Sequence, residues 1–99
     1  MDKGTALKNS KKYAVKVREQ FPDSKIILYG SYSDGEPTKD SDIDIAVIIN
    51  NFTGNWLKTS SQLWRYTENI DTRIEPVLLD EMDDQSGFCE HILKTGIEL

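Results

Sequence analysis

The sequence predicts a mixed α/β (α+β) domain: a small mixed β-sheet packed with helices, in the order helix, strand, helix, strand, helix, strand, helix. Three observations predict it. Two long segments, one near the N-terminus and one at residues 56–68, place apolar side chains at helical spacing. Three short apolar runs, at 25–29, 42–49 and 73–79, have the length and make-up of strands. These segments follow one another along 99 residues without an internal repeat, a low-complexity tract or a linker, so residues 1–99 are expected to form a single domain.

In order, residues 5–21 carry Ala6, Leu7, Tyr13, Ala14, Val17 and Phe21 on one helical face. Lys8, Lys11, Lys12, Lys16 and Arg18 lie mostly elsewhere and read as a solvated face rather than an RNA-binding one. Pro22 and Asp23 end the helix. The run KIILY, Lys25–Tyr29, suits a buried strand, and Gly30-Ser31 follows at once, opening a polar loop or short helix. Residues 42–49, DIDIAVII, begin in strict alternation and end in a continuous apolar run, as expected of a central strand whose first residues project beyond the covered core. Residues 50–55 are rich in turn formers. The second helix, 56–68, sets Trp56, Leu57, Leu63 and Trp64 on one side, and its tryptophans read as core packing rather than a base-stacking platform. The third strand, RIEPVLL at 73–79, contains Pro76, which cannot donate to a ladder and argues against a central place in the sheet. Beyond an acidic link at 80–85, Phe88, Ile92 and Leu93 mark a short last helix, stopped at Gly96 as a C-terminal cap. Residues 97–99 can add a short strand.

Twelve basic and seventeen acidic residues give a formal net charge of −5. That balance argues against a surface built mainly to grip nucleic acid, but not against a nucleoside triphosphate, which needs one local pocket and its metals. No apolar run approaches a membrane span, and no signal-peptide core follows the N-terminal charges. Cys89 is the single cysteine, so an intramolecular disulfide and a multi-cysteine zinc site are both excluded. Cys89 and His91 read as ordinary residues of the last helix. A cytoplasmic protein without a membrane partner is expected.

The chemistry is concentrated at Asp42 and Asp44. On a strand both point to one face while Ile43 and Ile45 point to the other. Two carboxylates so placed repel one another unless a cation lies between them, and aspartate is disfavoured in strands. A divalent metal such as Mg²⁺, which takes carboxylates together with substrate phosphates, would explain the pair. A solvated start to the strand, or a turn formed by Asp40, Ser41 and Asp42, would also do so. A calcium loop of the EF-hand kind would not, because the position that should be glycine is Ile45 and the one that should be glutamate is Asn51. Gly30-Ser31 offers a tight turn, exposed amides and a hydroxyl, which together can hold an anion. Glu75 shares a strand face with Arg73 and Val77; beside Asp42 and Asp44 it would complete a three-carboxylate cluster for two metals. Alternatively it only neutralises Arg73 at a sheet edge.

Taken together, Gly30-Ser31 followed after ten residues by Asp42-Ile43-Asp44, within YGSYSDGEPTKDSDIDIAVI, resembles the core motif of the minimal nucleotidyltransferases of the DNA polymerase beta-like superfamily. The resemblance implies the polymerase beta-like nucleotidyltransferase fold. It implies that Gly30 and Ser31 hold nucleotide phosphates and that Asp42 and Asp44 bind Mg²⁺. The third carboxylate comes from a later strand, here Glu75, where glutamate replaces the commoner aspartate and Pro76 follows. Asp34 stands where relatives often carry a basic residue, leaving Lys39, Arg65 or Arg73 to meet the phosphate charge.

The reaction implied is attack of a hydroxyl on the α-phosphate of a nucleoside triphosphate, ATP above all, with release of pyrophosphate. Asp44 or Glu75 would help to deprotonate the acceptor. Domains of this size resemble the antitoxins paired with HEPN-type toxins, which adenylylate those partners on tyrosine, so a protein acceptor is expected and a nucleic acid is not. Two other expectations remain open: a module that neutralises a partner without turnover, and the catalytic half of a two-chain aminoglycoside-type enzyme.

Overall fold

The computed structural model describes residues 3–30 and 42–99. Helix α1 spans Lys3–Gln20, strand β1 Lys25–Tyr29, strand β2 Ile43–Ile49, helix α2 Trp56–Thr67, strand β3 Ile74–Asp80, helix α3 Phe88–Thr95 and strand β4 Ile97–Glu98. The loop or short helix expected between Gly30 and Asp42 lies outside the described residues.

The four strands form one mixed sheet in the order β3-β2-β1-β4. β1 runs antiparallel to both β2 and β4, whereas β2 and β3 are parallel. The parallel pair requires a crossover, and α2 supplies it. β2 and β1 are the inner strands, which is why their sequences are continuous apolar runs: both faces are covered. β3 is an edge strand, so the missing amide of Pro76, itself buried opposite Ile45, costs the ladder little.

Helices α1 and α2 share one face of the sheet. There Ala6, Tyr13, Ala14 and Val17 of α1 and Leu63 of α2 pack on Ile26, Leu28, Ile43, Ile45, Val47, Ile74 and Leu78. The Tyr13 hydroxyl donates to the Leu63 carbonyl at 2.8 Å, joining the helices, and burial, followed by Tyr66, pushes its pKa far up. Among the described residues the opposite face carries α3, whose Cys89 and Ile92 cover Ile27, Ala46 and Ile48.

Two carboxylates fix the loops around this framework. Asp80 accepts the amides of Asn51, Phe52 and Met82 at 2.9–3.0 Å, tying the exits of β2 and β3 together. Asp84 accepts those of Cys89 and Glu90, both at 2.9 Å, and so caps α3 in place of Gly87, which offers no side chain. Asn55 caps α2 through Lys58 N at 2.9 Å.

Two local expectations are corrected. Trp56 and Trp64 are not core residues: they are 43% and 47% exposed, with Trp56 edge-on to Phe52 at 5.0 Å. The core side of α2 is instead furnished by Leu63 and Thr67. Gly96 does end α3, but in an extended conformation (φ −83°, ψ 178°) rather than a left-handed one. Its need for glycine is spatial, since a Cβ there would run into the Ile27 side chain and the carbonyls of Ile92 and Leu28.

Candidate active site

The acidic site forms where β2 begins. Ile43, Ile45 and Val47 are fully buried beneath α1 and α2, so alternation turns Asp42 and Asp44 to the face that α3 covers incompletely. Asp44 is half-buried and Asp42 exposed. Sheet register supplies the neighbours: Asp44 lies opposite Tyr29 on β1 and opposite Glu75 on β3. Residues paired in this way project to the same side, so one face presents Tyr29, Asp44 and Glu75 in a row across three strands, with Asp42 just beyond.

The electrostatics are those of crowded acids. Burial raises the Asp44 carboxyl above its usual range, and the charge of Asp42 raises it further. Glu75 is raised although its side chain is exposed; partial desolvation comes first, then Asp42, Asp44 and a hydrogen bond with Asp42. Crowding of this kind favours the neutral acid at Glu75 and Asp44, the situation that a cation between the carboxylates would reverse. The Tyr29 phenol is raised by burial and then by Asp44 and Glu75.

Gly30 explains how Asp44 fits. It closes β1 at φ +77°, and a Cβ there would sit 2.5 Å from Asp44 Oδ2. Glycine therefore satisfies a left-handed turn and makes room for the carboxylate. Beside them the Phe88 ring stands edge-on to Tyr29, with centroids 5.8 Å apart, and is 41% exposed. Sequence reasoning assigns no role to this aromatic wall. Tyr29 could have been found, because it ends the strand before Gly30 and an antiparallel pairing of β1 with β2 would set it near Asp44; Phe88 could not, since its approach depends on how α3 crosses the sheet.

The remaining expectations divide. Among the described residues the ion pair of Arg73 is with Asp71, its Nη2 lying 3.3 Å from Asp71 Oδ2 and its Nε 3.3 Å from Asp71 Oδ1. Burial pushes Asp71 up, but hydrogen bonds from Arg73 and Asn9 outweigh it and hold the carboxyl below its usual range. Arg65 lies in a cleft with Lys16 and Tyr66 in the α1–α2 layer, across the sheet from Asp44. Ser31, Asp34, Lys39, Asp40 and Ser41 lie outside the described residues. Cys89 is buried in the α3 core, and burial, then Asp84, raises its thiol.

Whether these acids suit a metal can be judged from their arrangement and their donor atoms. Among the described residues, no three acidic, histidine or cysteine side chains converge as they stand in a group that would hold an ion. The donor set nevertheless suits a hard divalent cation: Asp42, Asp44 and Glu75 bring only carboxylate oxygens, and ionisation of Asp44 and Glu75 is disfavoured by their acidic neighbours. A metal among them would relieve that repulsion.

A family model for the nucleotidyltransferase domain matches residues 3–93. The chain belongs to that family. Among solved structures, the nucleotidyltransferase domain is similar to a candidate nucleotidyltransferase from Sulfolobus solfataricus at 22% identity and a TM-score of 0.72, covering 97% of this chain and 80% of that one. At this identity the likeness bears on the fold, and the mixed sheet with its helices is the nucleotidyltransferase fold. No curated protein matches the sequence. Among the described residues, no helix is long and apolar enough to cross a membrane.

Proposed function

We propose that this nucleotidyltransferase domain transfers AMP from ATP to a hydroxyl on a partner protein, such as a HEPN-type toxin, in a Mg²⁺-dependent reaction. The observation that carries the proposal is the sheet register that sets Asp44 between Tyr29 and Glu75, with Asp42 two residues before Asp44. In the transfer the acceptor oxygen bonds to the α-phosphorus as the bond to the bridging oxygen breaks. Pyrophosphate leaves, and the acceptor proton passes to a carboxylate. Asp44 and Glu75 have raised proton affinities suited to receiving it. Asp42, Asp44 and Glu75 would hold Mg²⁺, which supplies charge neutralisation on the phosphates when bound. Gly30 and Ser31 are assigned to the phosphates, and the exposed Phe88 edge offers a surface for a planar ring of nucleotide or acceptor.

One observation favours a second reading, a partner-binding module without turnover. The acids do not converge as a ready metal site among the described residues. Calorimetric titration of ATP with and without Mg²⁺ separates the two readings. Metal-dependent binding, lost in Asp42→Asn and Asp44→Asn, supports transfer. Metal-independent binding, or none, supports the module. Radiolabel from α-labelled ATP should then appear on the protein encoded by the neighbouring reading frame, and labelling that persists in Asp44→Asn would sink the catalytic assignment.

A further inference from the structure

The net charge of −5 is unevenly distributed. Sixteen of the seventeen acidic residues lie outside α1 and α2, whose single carboxylate is Glu19. Six cations on these helices are exposed: Lys8, Lys11, Lys12 and Lys16 on α1, and Lys58 and Arg65 on α2. Among the described residues none of the six joins an ion pair. An average over the whole chain hides a basic layer, because the sheet separates it from the acidic face.

The two helices lie side by side, with the Lys16 ammonium 5.6 Å from the centroid of the Tyr66 ring. Two adjoining clefts, of about 340 and 320 Å³, share Arg65 and Tyr66 and so make one groove; the first lies along α2, and the second reaches Lys16 of α1. The first adds Lys58 and Gln62, the second Lys16, Asn69 and Ile70. Lys8, Lys12 and Lys16 recur at every fourth residue, forming a row with steps of about 6 Å, and Lys58 and Arg65 stand about 10 Å apart along α2. Cations at such intervals, with an aromatic ring and two amides among them, suit a flexible chain of phosphates carrying planar bases. A protein partner would favour an apolar centre inside a polar rim. In this groove cations and polar groups predominate, with Ile70 its one apolar lining residue, while exposed Leu57 and Trp64 stand on another flank of α2 and exposed Val15 belongs to a separate cleft on α1. A two-fold contact with a second copy would set this cationic patch against itself.

We propose that the groove along α2, which reaches Lys16 of α1, binds a single-stranded nucleic acid, with Lys16, Lys58 and Arg65 on its phosphates and Tyr66 against a base. The groove lies across the sheet from Asp44, so it is a binding site distinct from the transfer site and independent of that reading.

Fluorescence anisotropy of a short labelled oligouridylate, without triphosphate or divalent metal, tests the proposal on the intact protein. Three phosphate contacts predict a log–log salt slope of about −2, a loss of roughly twenty-fold in affinity between about 50 and 200 mM salt. Lys58→Glu combined with Arg65→Glu, both solvent-facing changes, should weaken binding by at least about ten-fold. Absent binding, a flat salt dependence, or a charge-reversed variant that binds as well as the parent overturns the proposal. So does a polyglutamate peptide of matched length that binds as tightly, which would assign the groove to an acidic protein.

Discussion

The two faces of β2 differ by one residue of register and by everything else. Ile43, Ile45 and Val47 meet two long helices and lose all contact with water. Asp42 and Asp44 face a side on which α3, eight residues long, covers Ala46 and Ile48 but stops short of the strand's first turn outward. The same strand therefore anchors the fold with one set of side chains and displays acids with the other. Stability and chemistry are thereby separated at adjacent positions, and the separation can be tested residue by residue.

The largest contrast is expected between Asp44 and Ile45. Asp44→Asn keeps the shape and removes a charge that its neighbours already disfavour, so the denaturation midpoint should hold or rise. If the transfer reading is correct, activity falls by at least about 10²–10³-fold. Ile45→Ala should do the reverse, costing about 2–5 kcal/mol in urea unfolding through lost contacts and a cavity beneath α1. Any transfer per folded molecule should be nearly retained. Loss of stability in Asp44→Asn comparable to that in Ile45→Ala would abolish the distinction between the faces.

Much of this contrast is legible in the amino-acid sequence. A period of two over DIDIAVII separates the acids from the isoleucines without further information. The place of Glu75 is not legible in the same way, because it depends on β3 pairing with β2 in parallel at one register out of several, which tertiary packing decides. Trp56 and Trp64 are misread because helical spacing identifies a face without saying whether another element covers it. Gly96 is found for the right outcome and the wrong reason: the sequence cannot reveal that Ile27 presses on its α-carbon. Net charge is the least informative quantity, since a sum over residues says nothing about which side of a sheet each occupies.

A smaller effect is expected at the glycines that border the two regions. Gly30 and Gly87 share φ +77°, so alanine at either should cost roughly 1–2 kcal/mol from the left-handed backbone alone. They differ in surroundings: a Cβ at Gly30 meets Asp44 Oδ2, whereas at Gly87 nothing lies within 4 Å. Gly30→Ala should therefore exceed Gly87→Ala in cost and should also displace Asp44, lowering metal-dependent ATP binding. Equal costs and unaltered ATP binding would mean that Gly30 serves only the turn.

The smallest effect is one of pH, and it has opposite signs at two sets of carboxylates. Asp71 has a folded pKa below the ordinary value of about 3.9, so its contribution is present above that value and is lost as pH falls through the folded pKa. Asp44 and Glu75 have folded pKa values above the ordinary range, so theirs is complete below the unfolded pKa and is lost as pH rises through the folded one. Urea midpoints measured in chelator between roughly pH 3 and 7 should thus respond oppositely to two substitutions. The stability of Asp44→Asn relative to the parent should grow as pH rises through the carboxylate range. The deficit of Asp71→Asn should shrink as pH falls below it. Each change should integrate to less than about 1 kcal/mol, because Glu75 is exposed and Arg73 partly so, and water screens both. Added Mg²⁺ should cancel the Asp44 slope if the acids accept the cation, since the metal would replace the proton that crowding now favours, while the Asp71 slope, set by Arg73 and Asn9, should not respond. A parallel response at both sites would show that bulk charge, rather than the acidic face of β2, governs the pH dependence.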